Sequence, residues 1–233
     1  MGDDVLTKRN RKSIEAAVEH FVRNRHLFEN FAQALMAYFR NDAGLARCTQ
    51  FIKYRVKDPD HLRQKLVRKA VQGDVIDDTT LFDRITDLAG IRIIHLHTDE
   101  VRDIHLAIQG VLAEQQLRLV EEPTANCWDI EYESLFKEFG IATRSRETMY
   151  TTIHYVIQAN QRTRVTCEVQ VRTLMDEVWG EVSHRVNYPN ESPNRSCQDQ
   201  LKVLARLTSG CARLVDSIFR THLETSKVSN TDR

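Results

Sequence analysis

No stretch of this 233-residue chain approaches the roughly eighteen consecutive apolar residues that a membrane-spanning helix requires. Its first residues, MGDDVLTKRNRKSIEAAVEH, are polar and lack the apolar core of a signal peptide. Neither G-x-x-x-x-G-K-[ST] nor G-x-G-x-x-G occurs, so a Walker site and a Rossmann site are both unsupported. The five cysteines are scattered and form no C-x-x-C pair, which suits reduced thiols in the cytoplasm better than a disulfide framework. Charge of either sign is not in excess, with 33 basic residues against 33 acidic ones. A global positive field for non-specific nucleic-acid binding is therefore not evident, which leaves room for local basic clusters. No internal repeat is present, and no linker rich in glycine, proline or serine divides the chain.

What is present is enough apolar material, 41% of residues, for one domain with a sizeable core. From residue 11 to about 40, Ile14, Val18, Phe21 and Val22, then Phe28, Phe31, Leu35 and Phe39, recur at helical spacing without proline or glycine. This predicts one long helix or two stacked ones. FIKYRV reads as extended, and Asp58-Pro59-Asp60 as the start of a basic helix, with proline and acids in its first turn. DDTTLFDRITDLAG reads as a short helix ending at Gly90, IRIIHLH as a strand, and the segment from Asp99 to Gln116 as a helix. LRLVEE, YTTIHYVIQAN and QRTRVTCEVQVR read as strands, the last two as a hairpin. Residues 123–137 give no clear pattern. Thr173 with Asp176 three residues on is a capping signal, and a last helix is predicted from about Cys197 to Leu223, followed by a disordered tail. The fold class expected is α+β, a mixed sheet of four to five strands with flanking helices.

Side chains alternate across a strand, so Cys167, Val169 and Val171 share one face and Glu168, Gln170 and Arg172 the other. Tyr150, Thr152 and His154 form a second polar row, opposite Ile153 and Ile157. Paired, the two strands put core on one side and Tyr, His, Glu, Gln and Arg on the other. Taken alone, this is either a solvated sheet face or a site. Asp87 stands at an expected helix end, where an acid opposes the helix dipole, and that mild cost suits metal binding. Arg55 and Lys57, two apart on an extended piece, and Lys65 and Lys69, one turn apart on a helix, gather positive charge that either solvates or meets an anion. His95 and His97 share a strand face but find no third ligand and read as ordinary strand histidines; Trp179 and His184 read as packing residues.

RVKDPDHLRQK, DLAGIRI, YTTIH and EVQVRT, in that order over roughly residues 50–188, resemble the synthetase domain of RelA/SpoT-type alarmone synthetases. The resemblance implies a nucleotidyltransferase-like synthetase fold at 50–188, with a helical extension at 1–49 and a C-terminal helix and tail at 189–233. It implies a pyrophosphokinase that moves the β,γ-pyrophosphate of ATP to the 3′-hydroxyl of GDP or GTP with Mg2+. By position, Arg55, Lys57, Lys65 and Arg92 would bind ATP, with Arg55 and Arg92 stacking on adenine. Asp87 and Glu168 would hold the metal, and Glu168 would help deprotonate the attacking hydroxyl. Tyr150, His154, Arg146, Gln170 and Arg172 would serve the acceptor side. The family's Asn-Gly before the tyrosine is replaced by Thr148 and Met149, and its upstream lysine by Arg146. An adenosine nucleotide or the 3′ end of tRNA is thus an alternative acceptor, and a catalytically silent nucleotide-binding regulator a second alternative. The hydrolase domain's His-Asp signature is absent. Family members also suggest a homo-oligomer or a neutralising antitoxin as partner.

Overall fold

The structure, a computed structural model, describes residues 6–145, 151–160, 162–188 and 190–231, with side chains to residue 224. Helix α1, Lys8–Asn41, is a single continuous helix whose buried residues Ile14, Ala17, Val18, Phe21, Phe28, Ala32, Leu35 and Phe39 form one stripe. Thr7 caps its start by accepting from the Asn10 amide at 3.1 Å. Asp42 ends it and caps α2, Ala43–Cys48, through Leu45 N at 2.8 Å. Then come β1, Phe51–Val56; α3, Pro59–Val71; α4, Leu81–Arg84; β2, Ala89–His95; and α5, Glu100–Glu114. These are followed by β3, Arg118–Leu119; β4, Thr124–Cys127; α6, Ile130–Glu138; β5, Ala142–Ser145; β6, Thr152–Gln158; β7, Thr166–Thr173; α7, Leu174–Asn187; and α8, Arg195–Thr231.

The class expected from sequence holds, an α+β chain with one mixed sheet and flanking helices, but the sheet has seven strands where four to five were expected. The order is β1-β2-β7-β6-β4-β5, with β3 pairing the end of β6. β2 and β7 run parallel at the centre, as do β4 and β5 at the far edge. The strands missed, β4 (TANC) and β5 (ATRS), are short, lack any β-branched run and owe their state to pairing with β6 and each other. Three other expectations are corrected. α4 stops at Arg84, where Ile85 turns extended (φ −121°, ψ 95°), so Asp87 lies in a turn rather than at a helix end. β2 begins at Ala89, before Gly90 rather than after it. The last helix continues to Thr231, since no proline or glycine follows Gly210 to stop it.

One face of the sheet is core. Ile91, Ile93, Ile153, Ile157, Val169 and Val171 are buried on it, beneath α1 and α5. At depth on it the Tyr155 hydroxyl meets His105 Nδ1 of α5 at 2.9 Å. Phe28 of α1 is fully buried and meets Phe21 and Phe82 edge-on at 5.9 and 5.0 Å. The other face is polar, and α7, backed by α8, leans over its β2–β7 side.

Candidate active site

The alternation read from β7 holds in space. Glu168, Gln170 and Arg172 form a hydrogen-bonded row along the polar face: Arg172 Nη2 donates to Gln170 Oε1, and Gln170 Nε2 donates to Glu168 Oε2 at 2.7 Å. On the neighbouring strand His154, in register with Gln170, brings Nδ1 within 2.9 Å of Glu168 Oε1. Burial pushes the Glu168 carboxyl up, yet the bond and charge of His154 outweigh it and hold the acid below its usual range. Glu168 is therefore ionised at neutral pH, with both oxygens already oriented. His154 Nε2 is buried without a hydrogen-bond partner among the described residues. A buried polar atom left open in this way suits a ligand group that supplies the missing bond.

A second acid approaches from the turn before β2. Lys57 at the end of β1 is tied to that turn by its amide, which donates to Leu88 O at 2.8 Å. Its Nζ meets Asp87 Oδ2 at 2.7 Å, and Lys65 Nζ meets Asp87 Oδ1 at 2.8 Å. Lys65 reaches this point because Asp58 caps α3, accepting from the amides of Asp60 and His61, with Pro59 at the first helical position. Burial raises the Asp87 carboxyl, but the two lysines dominate and hold it at about 2. Lys57 is itself lowered, chiefly by burial, against the pull of Asp87. Asp87 is close enough to Glu168 for its charge to oppose that residue's ionisation. Between them, Gly90 pairs with both Arg55 and Glu168. A Cβ there would rest in ordinary contact, 3.6 Å from Glu168 O and 3.7 Å from Arg55 Nε.

Helix α7 supplies the opposite wall. Its Glu177, Glu181 and His184, with Tyr188 just past its end, recur at spacings of four, three and four, one helical face. Glu177 meets Lys53 and Arg92, Glu181 meets Arg92, and His184 stacks on Tyr188 with ring centroids 4.5 Å apart. Three adjoining cavities, of about 240, 340 and 330 Å3, share Arg55 and His184. The second is lined by Lys57, Lys65, Arg68 and Asp87, the third by Arg92, Gln170 and Arg172. A cavity of about 340 Å3 also lies between α6 and α8, but its Arg213 and Arg220 are already paired with Asp129, Glu131 and Asp99.

Of the residues singled out from sequence, Arg55, Lys57, Lys65, Arg92, Asp87, His154, Glu168, Gln170 and Arg172 gather on this one face. Tyr150 and Arg146 lie outside the described residues. Lys69 turns away to Asp74 at 3.1 Å. Glu177 and Glu181 were not foreseen, and His184, read as packing, lines all three cavities. Their 4-3-4 spacing is the signal that could have found them.

The groove carries more cations than carboxylates, which suits a polyphosphate. Two ionised carboxylates within reach of each other's field suit a hard divalent ion, since Mg2+ commonly takes one or two protein carboxylates and completes its shell with water and substrate phosphate. Among the described residues no three side chains of ligating type gather at one point.

A family model described as the region found in RelA / SpoT proteins matches residues 54–193. The GTP pyrophosphokinase YwaC of Bacillus subtilis (strain 168) is 26% identical over 161 residues, 66% of this chain and 66% of that protein. The match thus spans just under two thirds of that curated relative's length. A GTP pyrophosphokinase family protein from Streptococcus pneumoniae superposes with a TM-score of 0.65 at 18% identity, over 85% of this chain and 92% of that one. Small alarmone synthetase 1 from Bacillus subtilis, bound to its product pppGpp, superposes with a TM-score of 0.63 at 18% identity, over 86% and 98%. The two superpositions establish a shared fold.

Proposed function

Because the chain belongs to the RelA/SpoT family, we propose that it is a pyrophosphokinase, transferring the β,γ-pyrophosphate of ATP to the 3′-hydroxyl of GDP or GTP. The observation that carries this reading is the pairing of an ionised, oriented Glu168 with an Asp87 set between two lysines, in one cation-lined groove. Transfer of a phosphoryl-type group asks mainly for alignment and charge neutralisation, and this groove offers both. Lys57, Lys65 and Arg68 take the phosphate chain, and Arg55 and Arg92 take the adenine end. The acceptor's 3′-oxygen attacks the β-phosphorus, the bridging bond from that phosphorus to the α-phosphate oxygen breaks, and AMP leaves. Glu168 receives the hydroxyl proton, and His154 holds its carboxylate in place. Asp87 and Glu168 would hold Mg2+, which, when bound, neutralises charge on the phosphate oxygens. Gln170 and Arg172 serve the acceptor side, together with Tyr150 and Arg146. All five cysteines are free thiols, which suits the cytoplasm as its compartment.

Thr148 stands where family members carry the asparagine before the tyrosine, and this favours a second reading in which the acceptor is an adenosine nucleotide or a tRNA 3′ end. Incubation of the protein with ATP and, separately, GDP, GTP, ADP and tRNA, with mass identification of products, separates the two. Transfer to GDP or GTP is expected. Transfer to ADP or tRNA alone would replace the first reading by the second, and no transfer to any acceptor would overturn both.

A further inference from the structure

Glu177 stands in the first turn of α7 with 5% of its surface exposed. Its Oε1 lies 2.6 Å from Lys53 Nζ and 3.1 Å from Arg92 Nη1, and its Oε2 lies 3.2 Å from Arg172 Nη1. The three cations come from three adjacent strands. Lys53 and Arg92 are directly paired across β1 and β2, and Arg172 lies on the same face, two residues along β7 from Gln170, the partner of Arg92. Held side by side on a half-buried face, they would repel and swing apart without a shared counter-ion. Arg92 and Arg172 both line the groove.

A buried carboxylate in a groove built for phosphate is paradoxical if affinity is all that matters, since it cancels positive potential that would draw the nucleotide in. Its value must lie in fixing direction. Glu181 also pairs with Arg92, but its side chain is 41% exposed and water can replace it. Glu177 is almost wholly shielded from water, and burial, which pushes its carboxyl up, is outweighed by the hydrogen bond from Lys53 and the charges of Arg172 and Arg92.

We infer that Glu177 is a positioning residue of this groove: one buried carboxylate that clamps Lys53, Arg92 and Arg172 so that the two arginines meet bound nucleotide in a single orientation, at the expense of raw anion affinity. The effect on turnover rests on the proposed pyrophosphokinase reading; the clamping itself does not. In Glu177→Gln the isosteric amide keeps the packing and removes the charge. ATP should then bind as tightly as to the wild type or several-fold more tightly, with a steeper dependence on salt, while kcat falls at least tenfold. Nitrogen relaxation of the Arg92 and Arg172 Nε–H groups, recorded on unliganded protein, should change from rigid to motionally averaged. Glu177→Asp, a milder change that keeps the charge but shortens the reach, should show the same loss of arginine rigidity to a smaller degree, and it decides the matter if the Gln variant does not fold. Arginines that stay rigid in both Glu177 variants would overturn the inference. So would a kcat loss matched by equally weakened ATP binding and a large drop in Tm, the result of a mere tether between α7 and the sheet. If the wild type transfers nothing, the proposed function fails and the relaxation data still decide the clamp.

Discussion

Replacing Asp87 by asparagine tests the electrostatic design at its most loaded point. Asp87 is gripped by Lys57 at 2.7 Å and Lys65 at 2.8 Å, and its side chain is only 20% exposed. The lysines hold its pKa at about 2, against 3.8 for an ordinary aspartate. A carboxyl depressed in the folded state adds stability that is fully present above its unfolded pKa and is lost as pH falls through its folded one. Here the loss runs from about pH 4 down to about 2. At about 1.4 kcal/mol per pH unit, the contribution at neutral pH is about 2 kcal/mol. For a chain of this size that corresponds to a fall in Tm of about 4–8 °C in Asp87→Asn. Thermal melts followed by circular dichroism at pH 7 measure it, and guanidinium titrations between pH 3 and 7 should show the variant's stability flattening where the wild type's declines. A second consequence has the opposite sign. With Asp87 neutral, the triphosphate of ATP is free to take the carboxylate's place between the two lysines, so ATP without divalent ion should raise the variant's Tm more than the wild type's. A variant as stable as the wild type at pH 7, or one whose ATP shift is no larger, would refute the assignment of Lys57 and Lys65 to both the acid and the phosphate chain.

Other expectations follow from the same geometry. Glu168→Gln should lower kcat by about 10²–10⁴-fold, the range for losing a positioned base, with ATP binding by calorimetry little changed. Asp176 is raised to about 6, chiefly by burial. An acid raised in the folded state costs stability as pH climbs from about 4 to above 6, so Asp176→Asn should be more stable at pH 7.5 by about 3 kcal/mol and should lose that slope in chemical denaturation. Phe28→Ala removes a fully buried ring from the α1 stripe and should cost about 3–5 kcal/mol in guanidinium unfolding, leaving ATP affinity of the folded protein unchanged.

The parts of the site that were legible in the sequence are those written as local patterns. β7 alternates Cys167, Val169 and Val171 with Glu168, Gln170 and Arg172, and that alternation alone assigns the two faces. The caps at Asp58 and Thr173 are equally local and stand as read. What escaped depends on distant partners. Asp87 was taken for a helix end because LFDRITDL looks helical, whereas its place in a turn is fixed by lysines 30 and 22 residues earlier in the chain. β4 and β5 hold their strand form through pairing with β6 and each other, a constraint that their own four residues do not carry. Glu177 was hidden for the same reason. Its place on α7 was legible, but its three cations lie on three strands, one of them 124 residues away.

The central claim is that this groove delivers two phosphoryl groups as a unit. ATP and GDP incubated with the protein and Mg2+, with both nucleotide products quantified by mass spectrometry, test it most directly. The account expects AMP and a guanosine product heavier by a pyrophosphoryl group at its 3′ position, in equal amounts, both lost in Glu168→Gln. Formation of ADP instead of AMP, or AMP release with no pyrophosphorylated acceptor of any kind, would contradict it.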